Sequence, residues 1–593
     1  MFFHRAHPRF LQPLAGDRVL VRLRAPRHPH WQIRLVAGGP AWEEAPMLPT
    51  ARTRHYAYYQ AEGHAAGPFR LQYYFSVRPE KSSGGPAFTI LAPDNRPFVF
   101  TWSEEDIFCP PSWVPGAVFY QIFPDRFYNG DPANDPPGTQ LWGGTPTRTN
   151  FFGGDLEGIR LKIPYLQKLG VTALWLNPIF KSPSNHKYDT SDYLQVDPHF
   201  GDLDTFQRLV AELHASGIRV ILDGVFNHTG TSFWAFQDLL ARGEASPYRD
   251  WYYVNCFPVE TNPPNYACWW NFAELPKLKA TNPEVREYLI KVGTYWLAAG
   301  PTDGWRLDVP NEIEPPFWRE FRQEVKKVNP DAYLTGEIWH DAGSWLHGKY
   351  FDGVMNYIFR DLVIDYFARR RISLKTLDLL LGRYRLRYPE AANYCLLNLL
   401  GSHDTARIIT VFQEGLANQP GHRGDYAEAV EHLRPALILQ MTYPGAPMVY
   451  YGDEVGITGG PDPDCRRPMV WNPAEQDTSL LDFYCRLIQV RRRYRALQDG
   501  LFQPLLVDSR HDIYAYARRR EEASMVVVLN AGDQEQAVSL AAWPAGAVPG
   551  QVWADLLGGS EVRVADDTLL HLTHLPPNSG AILVPSHQAT WCP

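Results

Sequence analysis

Cysteine is scarce in this chain: seven residues in 593, an odd number scattered from Cys109 to Cys592 with no CxxC pair. That distribution fits neither a disulfide framework nor a cysteine-based zinc site, so reduced thiols are expected. Long apolar runs are missing as well. No stretch approaches the roughly 18 apolar residues that a membrane-spanning helix needs. The first residues, MFFHRAHPRFLQPLAG, put Arg5, His7 and Arg9 where an export signal would be apolar. Basic tracts are absent too. The net charge is −8, and the arginine runs Arg369–Arg371 and Arg491–Arg493 fall in helix-like segments, where they read as solvated faces. These absences exclude a nucleic-acid partner and a membrane partner, and they lead us to expect a soluble, cytoplasmic protein.

What the chain does contain is size and aromatic residues. It is too long for a single hydrophobic core, and its 13% aromatic content suits surfaces that stack on flat apolar faces such as sugar rings, although most aromatics belong in cores. Residues 18–99 alternate in short segments such as RVLVRLRA and FRLQYYFSV, which predicts a β-sandwich, and the proline-rich CPPSWVPG at 109–116 reads as a linker.

The rhythm then changes. Eight short apolar runs (VFYQIF, TALWLNPI, RVILDGVF, GWRLDV, AYLTGEIW, GVMNYIF, YCLLNLLGS, APMVYYGDE) alternate with helical patterns; in one of these, Phe206, Leu209, Val210 and Leu213 share a face. Eight such units predict an α/β fold with a TIM (β/α)8 barrel, and a doubly wound sheet is the alternative. About fifty residues rich in Trp, Tyr, Pro and Asn interrupt the alternation after strand three, too many for a simple connection. Short strands return after Gly500. The expected layout is an N-terminal β-sandwich over 1–112, the barrel over 113–228 and 281–500, an inserted subdomain over 229–280, and a C-terminal antiparallel β-sandwich over 501–593.

In such a barrel, catalytic groups gather at the C-terminal ends of the strands, and this chain places its acids there. Strand three ends with Asp223 and His228, strand four carries Arg306 and Asp308, strand five ends with Glu337, and strand seven ends with His403 and Asp404. One acid alone would more often be a cap or a surface group; four at one edge suit cleavage through a cation-like transition state, as in glycoside hydrolysis. Arg306 and Asp308, two apart on a strand, face the same side, so the guanidinium is expected to hold Asp308 ionised as nucleophile. Glu337, beside Ile338 and Trp339, is expected to be desolvated, protonated and the general acid/base.

DGVFNH, GWRLDVPNE, LTGEIWH and LLGSHD, in this order, resemble the four signature segments of the α-amylase superfamily, glycoside hydrolase family thirteen; HKYDTSDY and APMVYYGDEVG resemble two more. The resemblance implies Asp308 as nucleophile, Glu337 as acid/base and Asp404 as transition-state stabiliser, with Tyr188, Asp223, His228, Arg306 and His403 at the cleavage subsite. The N-terminal β-domain, ELPKL and GGPDPDCRRPMVW are similar to the neopullulanase, cyclomaltodextrinase and maltogenic amylase group, with Leu275 where that group commonly has Met. That narrower resemblance implies Asp462 and Arg466 on the non-reducing side of the cleft and Trp339 on the leaving-group side. It implies cleavage of α-1,4 bonds in cyclodextrins, pullulan, starch and maltooligosaccharides, with transglycosylation, and a homodimer formed through the N-terminal domain. It also implies a structural calcium ion held by Asn129, Asp131, Asn134, Asp135, Gly153 and Asp155, a cluster that composition alone would read as an Asx/Gly turn. No organic cofactor is expected. The sequence leaves open α-1,6 cleavage, a transglycosylase or isomerase of the same mechanism, and a glucan-binding protein that has lost catalysis.

Overall fold

The computed structural model describes residues 1–14, 16–27, 31–38, 42–65, 67, 69–79, 86–520 and 523–589. Its centre is one parallel sheet of eight strands: β1 (Phe119–Ile122), β2 (Ala173–Leu176), β3 (Arg219–Gly224), β4 (Gly304–Leu307), β5 (Tyr333–Gly336), β6 (Gly353–Val354), β7 (Leu397–Leu399) and β8 (Ala446–Tyr450). They pair in the order β6-β5-β4-β3-β2-β1-β8-β7, and a parallel bridge between Met355 and Leu397 joins the two remaining edges. The sheet is therefore a barrel, and the doubly wound alternative is excluded. Its strands are short and buried on both faces, as parallel strands covered by crossover helices must be.

Helix formation between the strands follows local rules. In Leu203–Ala215 the Asp202 carboxylate caps the Thr205 N–H at 2.8 Å, and Phe206, Leu209, Val210 and Leu213 are fully buried. Gly217, at φ +73°, then turns the chain into β3.

Side-chain alternation along the strands divides the barrel in two. Phe119, Ala173, Trp175, Ile221, Tyr333, Leu397 and Met448 point inward and pack a closed apolar cluster. Two residues further along the same parity, β1 offers Gln121, β2 leads to Asn177, β3 offers Asp223, and β5 offers Thr335 and then Glu337. The interior thus changes from apolar to polar at the C-terminal end of the strands.

The proline-rich segment before β1 is no free linker. Trp113 packs on Phe119 and Tyr333 at centroid distances of 5.9 Å, its indole N–H donates to the Asp331 carbonyl at 3.0 Å, and Arg219 lies over its ring. This segment closes the N-terminal end of the barrel. Ahead of it, a four-stranded and a five-stranded antiparallel sheet enclose an apolar core. After the barrel, a six-stranded sheet and a two-stranded ribbon form another antiparallel unit.

Between β3 and the helix Pro283–Ala298 lie the helix Trp234–Arg242 and irregular chain tied by isolated bridges, including His228 to Lys277. An antiparallel ribbon after β2, Phe180–Lys181 with Asp192–Val196, carries the loop that holds Tyr188. It was not anticipated, because strands of two and five residues leave little periodicity to read. Among the described residues, no helix is long and apolar enough to cross a membrane.

Candidate active site

Arg306 is the centre of the polar layer. It is fully buried, and its Nη1 lies 2.8 Å from Asp223 Oδ1 and 2.8 Å from Asp308 Oδ1, while Nη2 lies 2.9 Å from Glu337 Oε2. Strand register explains the cluster, since Asp223 is paired with Arg306 across β3 and β4, and Arg306 with Thr335 across β4 and β5. Next to Asp308, Val309 adopts a left-handed φ of 33°, which is costly for a β-branched residue. This conformation aims its backbone N–H at Glu337 Oε2, 3.2 Å away, and the Trp339 indole donates to Glu337 Oε1 at 3.1 Å.

One guanidinium shared by three carboxyls changes the electrostatics expected from sequence. Asp308 is not held in the usual carboxylate range: burial, and then the charge of Glu337, push it well above that range, with Arg306 opposing only in part. Asp223 is pushed up to about 6, again chiefly by burial. Asp404, whose side chain is 30% exposed to the cleft yet enclosed by protein on its other sides, is raised to about 7 by burial and then by Glu337. Asp223, Asp308 and Asp404 are thus all raised, and their titrations are coupled through shared neighbours.

A second network fixes the tautomer of His403. The Gln121 amide donates to Asn177 Oδ1 at 2.9 Å and to His403 Nδ1 at 2.8 Å. The ring proton then sits on Nε2, 2.7 Å from the Tyr188 hydroxyl and 3.3 Å from Asp404 Oδ1. Tyr188 donates onward to Asp223 Oδ2 at 2.8 Å and stacks on His403 with rings 4° from parallel. Burial first, and then Arg466, depress the His403 pKa well below its usual range, so the ring is neutral. His228 is also buried and pushed down to about 3, chiefly by burial, and its Nε2 has no hydrogen-bond partner among the described residues. It is a neutral imidazole with one free position.

Around this centre, Arg466 pairs with Asp404 at 3.4 Å and with Asp462 at 3.1 Å. Trp339 is 38% exposed and stacks on Tyr357 at 3.6 Å. Trp269 lies over His228 and stacks on Trp270, itself 73% exposed, so these adjacent tryptophans extend from the cluster to solvent. Asp223, His228, Arg306, Asp308, Glu337, Trp339, Tyr188, His403, Asp404, Asp462 and Arg466 therefore all meet at one mouth.

Residues 121–476 match the model of the alpha amylase catalytic domain, residues 1–84 that of the alpha amylase N-terminal ig-like domain, and residues 502–582 that of the maltogenic amylase C-terminal domain. The chain belongs to the alpha-amylase family. It is 48% identical to neopullulanase 2 of Thermoactinomyces vulgaris over 487 residues, covering 81% of this chain and 79% of that one. It is 40% identical to the cyclomaltodextrinase of Geobacillus thermopakistaniensis (strain MAS1), over 97% of both chains. A solved cyclomaltodextrinase superposes with a TM-score of 0.85 at 36% identity, covering 98% of this chain and 99% of that one. Within the family the chain groups with neopullulanases, cyclomaltodextrinases and maltogenic amylases, and it is an α-glucan hydrolase.

Three residues that buttress the site carry no motif in the sequence. Gln121, Asn177 and Trp175 orient His403, Tyr188 and Asp223, the last through a 3.2 Å indole N–H contact. A buried glutamine inside the apolar run VFYQIF was the available signal, as buried polar groups need partners. Nothing in the sequence marked Val309 as left-handed.

The loop expected to hold calcium brings its residues together unequally. The Oδ1 atoms of Asn129 and Asn134 are buried without hydrogen-bond partners among the described residues, and Asp135 accepts from the Asn129 amide at 2.8 Å. Gly153, at φ +77°, leaves a space that a Cβ would fill against Asp135 and Asn129. Asp131 Oδ1 accepts from the Ala133 N–H at 3.2 Å. Asp155 differs: its carboxylate accepts from the N–H groups of Gly130, Asp131 and Gly158 and from the Asn134 amide, and so caps the helix Leu156–Leu161.

Proposed function

We propose that the chain is a retaining hydrolase of α-1,4-glucosidic bonds in cyclodextrins, pullulan, starch and maltooligosaccharides. The observation that carries this reading is the suspension of Asp308 and Glu337 from the two terminal nitrogens of one buried guanidinium. A shared guanidinium suits the close separation of a retaining pair, about 5–5.5 Å, better than the wider gap, about 6.5–9.5 Å, that admits water in inverting enzymes.

In the first step an Asp308 oxygen attacks the anomeric carbon while Glu337 gives its proton to the glycosidic oxygen, and the carbon–oxygen bond to the leaving sugar breaks. In the second step Glu337 takes a proton from water, the hydroxyl oxygen bonds to the anomeric carbon, and the ester to Asp308 breaks. Once Glu337 holds its proton, the charge that raises Asp308 is gone, so protonation of the acid and ionisation of the nucleophile favour each other. Asp404, Arg306, His228, His403 and Tyr188 surround the sugar bound between them. Asp462 and Arg466 bound the non-reducing side.

Transglycosylation is the second activity we infer. The exposed face of Trp339, held by Tyr357 beside Glu337, is suited to stack on an acceptor sugar whose hydroxyl replaces water in the second step. A structural Ca2+ would be held by Asn129 and Asn134 Oδ1, Asp135 and the Gly153 carbonyl, oxygen donors that such an ion prefers. Asp155 would support it by ordering the loop. The ion would tie residues 129–135 to 153–155. We further infer a homodimer through the N-terminal domain, which leaves Trp42, Phe88 and Val99 exposed.

Product analysis on β-cyclodextrin, pullulan and soluble starch, with the anomer followed by NMR, tests the reading. Ring opening with α-anomeric products supports it. Initial β-anomers, or inactivity on all three glucans, would overturn it.

A further inference from the structure

Beyond Asp404, two histidines and two carboxylates meet where the helix Tyr426–Thr442 packs against strands Ser524–Asn530 and Ser579–Pro585 of the C-terminal unit. His432, on that helix, is 4% exposed, and its Nδ1 has no hydrogen-bond partner among the described residues. His422, in the loop before the helix, presents its ring edge-on at a centroid distance of 5.2 Å. Its Nδ1 lies 2.9 Å from Glu428 Oε1, and the other Glu428 oxygen is fixed by the N–H groups of Arg423 and Gly424, each at 2.8 Å. One ligand atom from each of His422, Glu428 and His432 lies within 4.8 Å of the others. From the C-terminal unit, Asp533 places its oxygens 3.8 Å from His422 Nε2 and 3.7 Å from His432 Nε2. Asn578 Nδ2 is 3.3 Å from His432 Nε2.

We propose that His422, Glu428 and His432 bind one zinc ion beside the C-terminal unit, whose Asp533 faces Nε2 of both histidines. Zinc bonds of about 2.0–2.2 Å place neighbouring tetrahedral ligands roughly 3.4 Å apart, and the three ligand atoms here lie within 4.8 Å of one another. Imidazole nitrogens with carboxylates suit zinc, whereas calcium and magnesium prefer oxygen alone. Three protein ligands leave the fourth tetrahedral position to water. The site also gives the orphaned nitrogen of His432 a partner. Cysteine spacing gives no zinc site; this set is assembled from histidine and carboxylate on one helix and the loop before it.

The test uses the full chain, stripped with a chelator and returned to calcium-containing buffer so that oxygen-only sites are filled. Zinc is then titrated by calorimetry, and thermal unfolding is followed with and without zinc. One equivalent should bind, and it should raise the unfolding temperature. His422→Ala, in the loop, and Asp533→Asn, at the surface, avoid disturbing the buried helix face, and each should weaken binding about tenfold or more and remove the thermal shift. No binding to the wild type, or binding of unchanged affinity and stoichiometry in both variants, would overturn the assignment.

Discussion

Replacing Arg306 by leucine separates what its charge does from what its shape does. Arg306 faces Asp223, Asp308 and Glu337, all buried. Even with the guanidinium present, Asp223 sits at about 6 against an ordinary 3.8, about two pH units, so its ionised form costs about 3 kcal/mol. Without the cation Asp223 and Asp308 rise further. Breaking a buried pair typically costs about 3–5 kcal/mol at neutral pH, and here the native state limits that cost by retaining protons. The sign follows from linkage. The unfolded chain ionises its carboxyls near pH 4, so each proton the folded variant keeps but the wild type has lost makes the variant's stability fall by about 1.4 kcal/mol per pH unit as pH rises. One such proton gives an added loss of about 3 kcal/mol between roughly pH 6 and pH 8, and the difference vanishes below the unfolded pKa. Urea titration of the barrel transition by tryptophan fluorescence at several pH values measures this directly. Arg306→Lys keeps the charge but cannot hold two carboxyls on two nitrogens, so it should recover most of the stability and little of kcat. A loss in Arg306→Leu that is independent of pH would refute the shared-charge account.

Other outcomes follow from the same geometry. Glu337→Gln should lower kcat by about 10²–10⁴ on glucans, yet spare a maltosyl fluoride whose leaving group needs no proton; equal losses on both substrates would remove Glu337 as the acid. Trp339→Phe keeps the stack on Tyr357 but removes the hydrogen bond to Glu337, so cyclodextrin hydrolysis should fall by roughly tenfold, and an unchanged rate would show that the contact is idle. A calcium chelator should lower the unfolding temperature of the wild type and leave Asp135→Ala unaffected; a wild type indifferent to the chelator would dismiss the ion. Sedimentation at micromolar concentration should give a dimer that Trp42→Asp weakens, and a monomeric wild type would end that inference.

By itself the sequence determined the barrel and the principal acids, because both are written in local order. Strand and helix periodicities differ, eight apolar runs alternate with helical ones, and Asp223 lies near the end of a strand, Asp308 and Glu337 directly after theirs, and Asp404 in the loop after Leu399. Alternation along a strand even set which acids point inward. Tertiary structure decided how those groups share charge. That one guanidinium serves three carboxyls depends on register across β3, β4 and β5, and register is a relation between segments distant in the chain that no local pattern carries. The same holds for Gln121 setting the His403 tautomer across 282 positions, and for Val309, whose left-handed backbone is imposed by its neighbours against its own preference. Sequence named the chemical groups; their protonation depends on burial and on who else is near, which only the folded chain fixes.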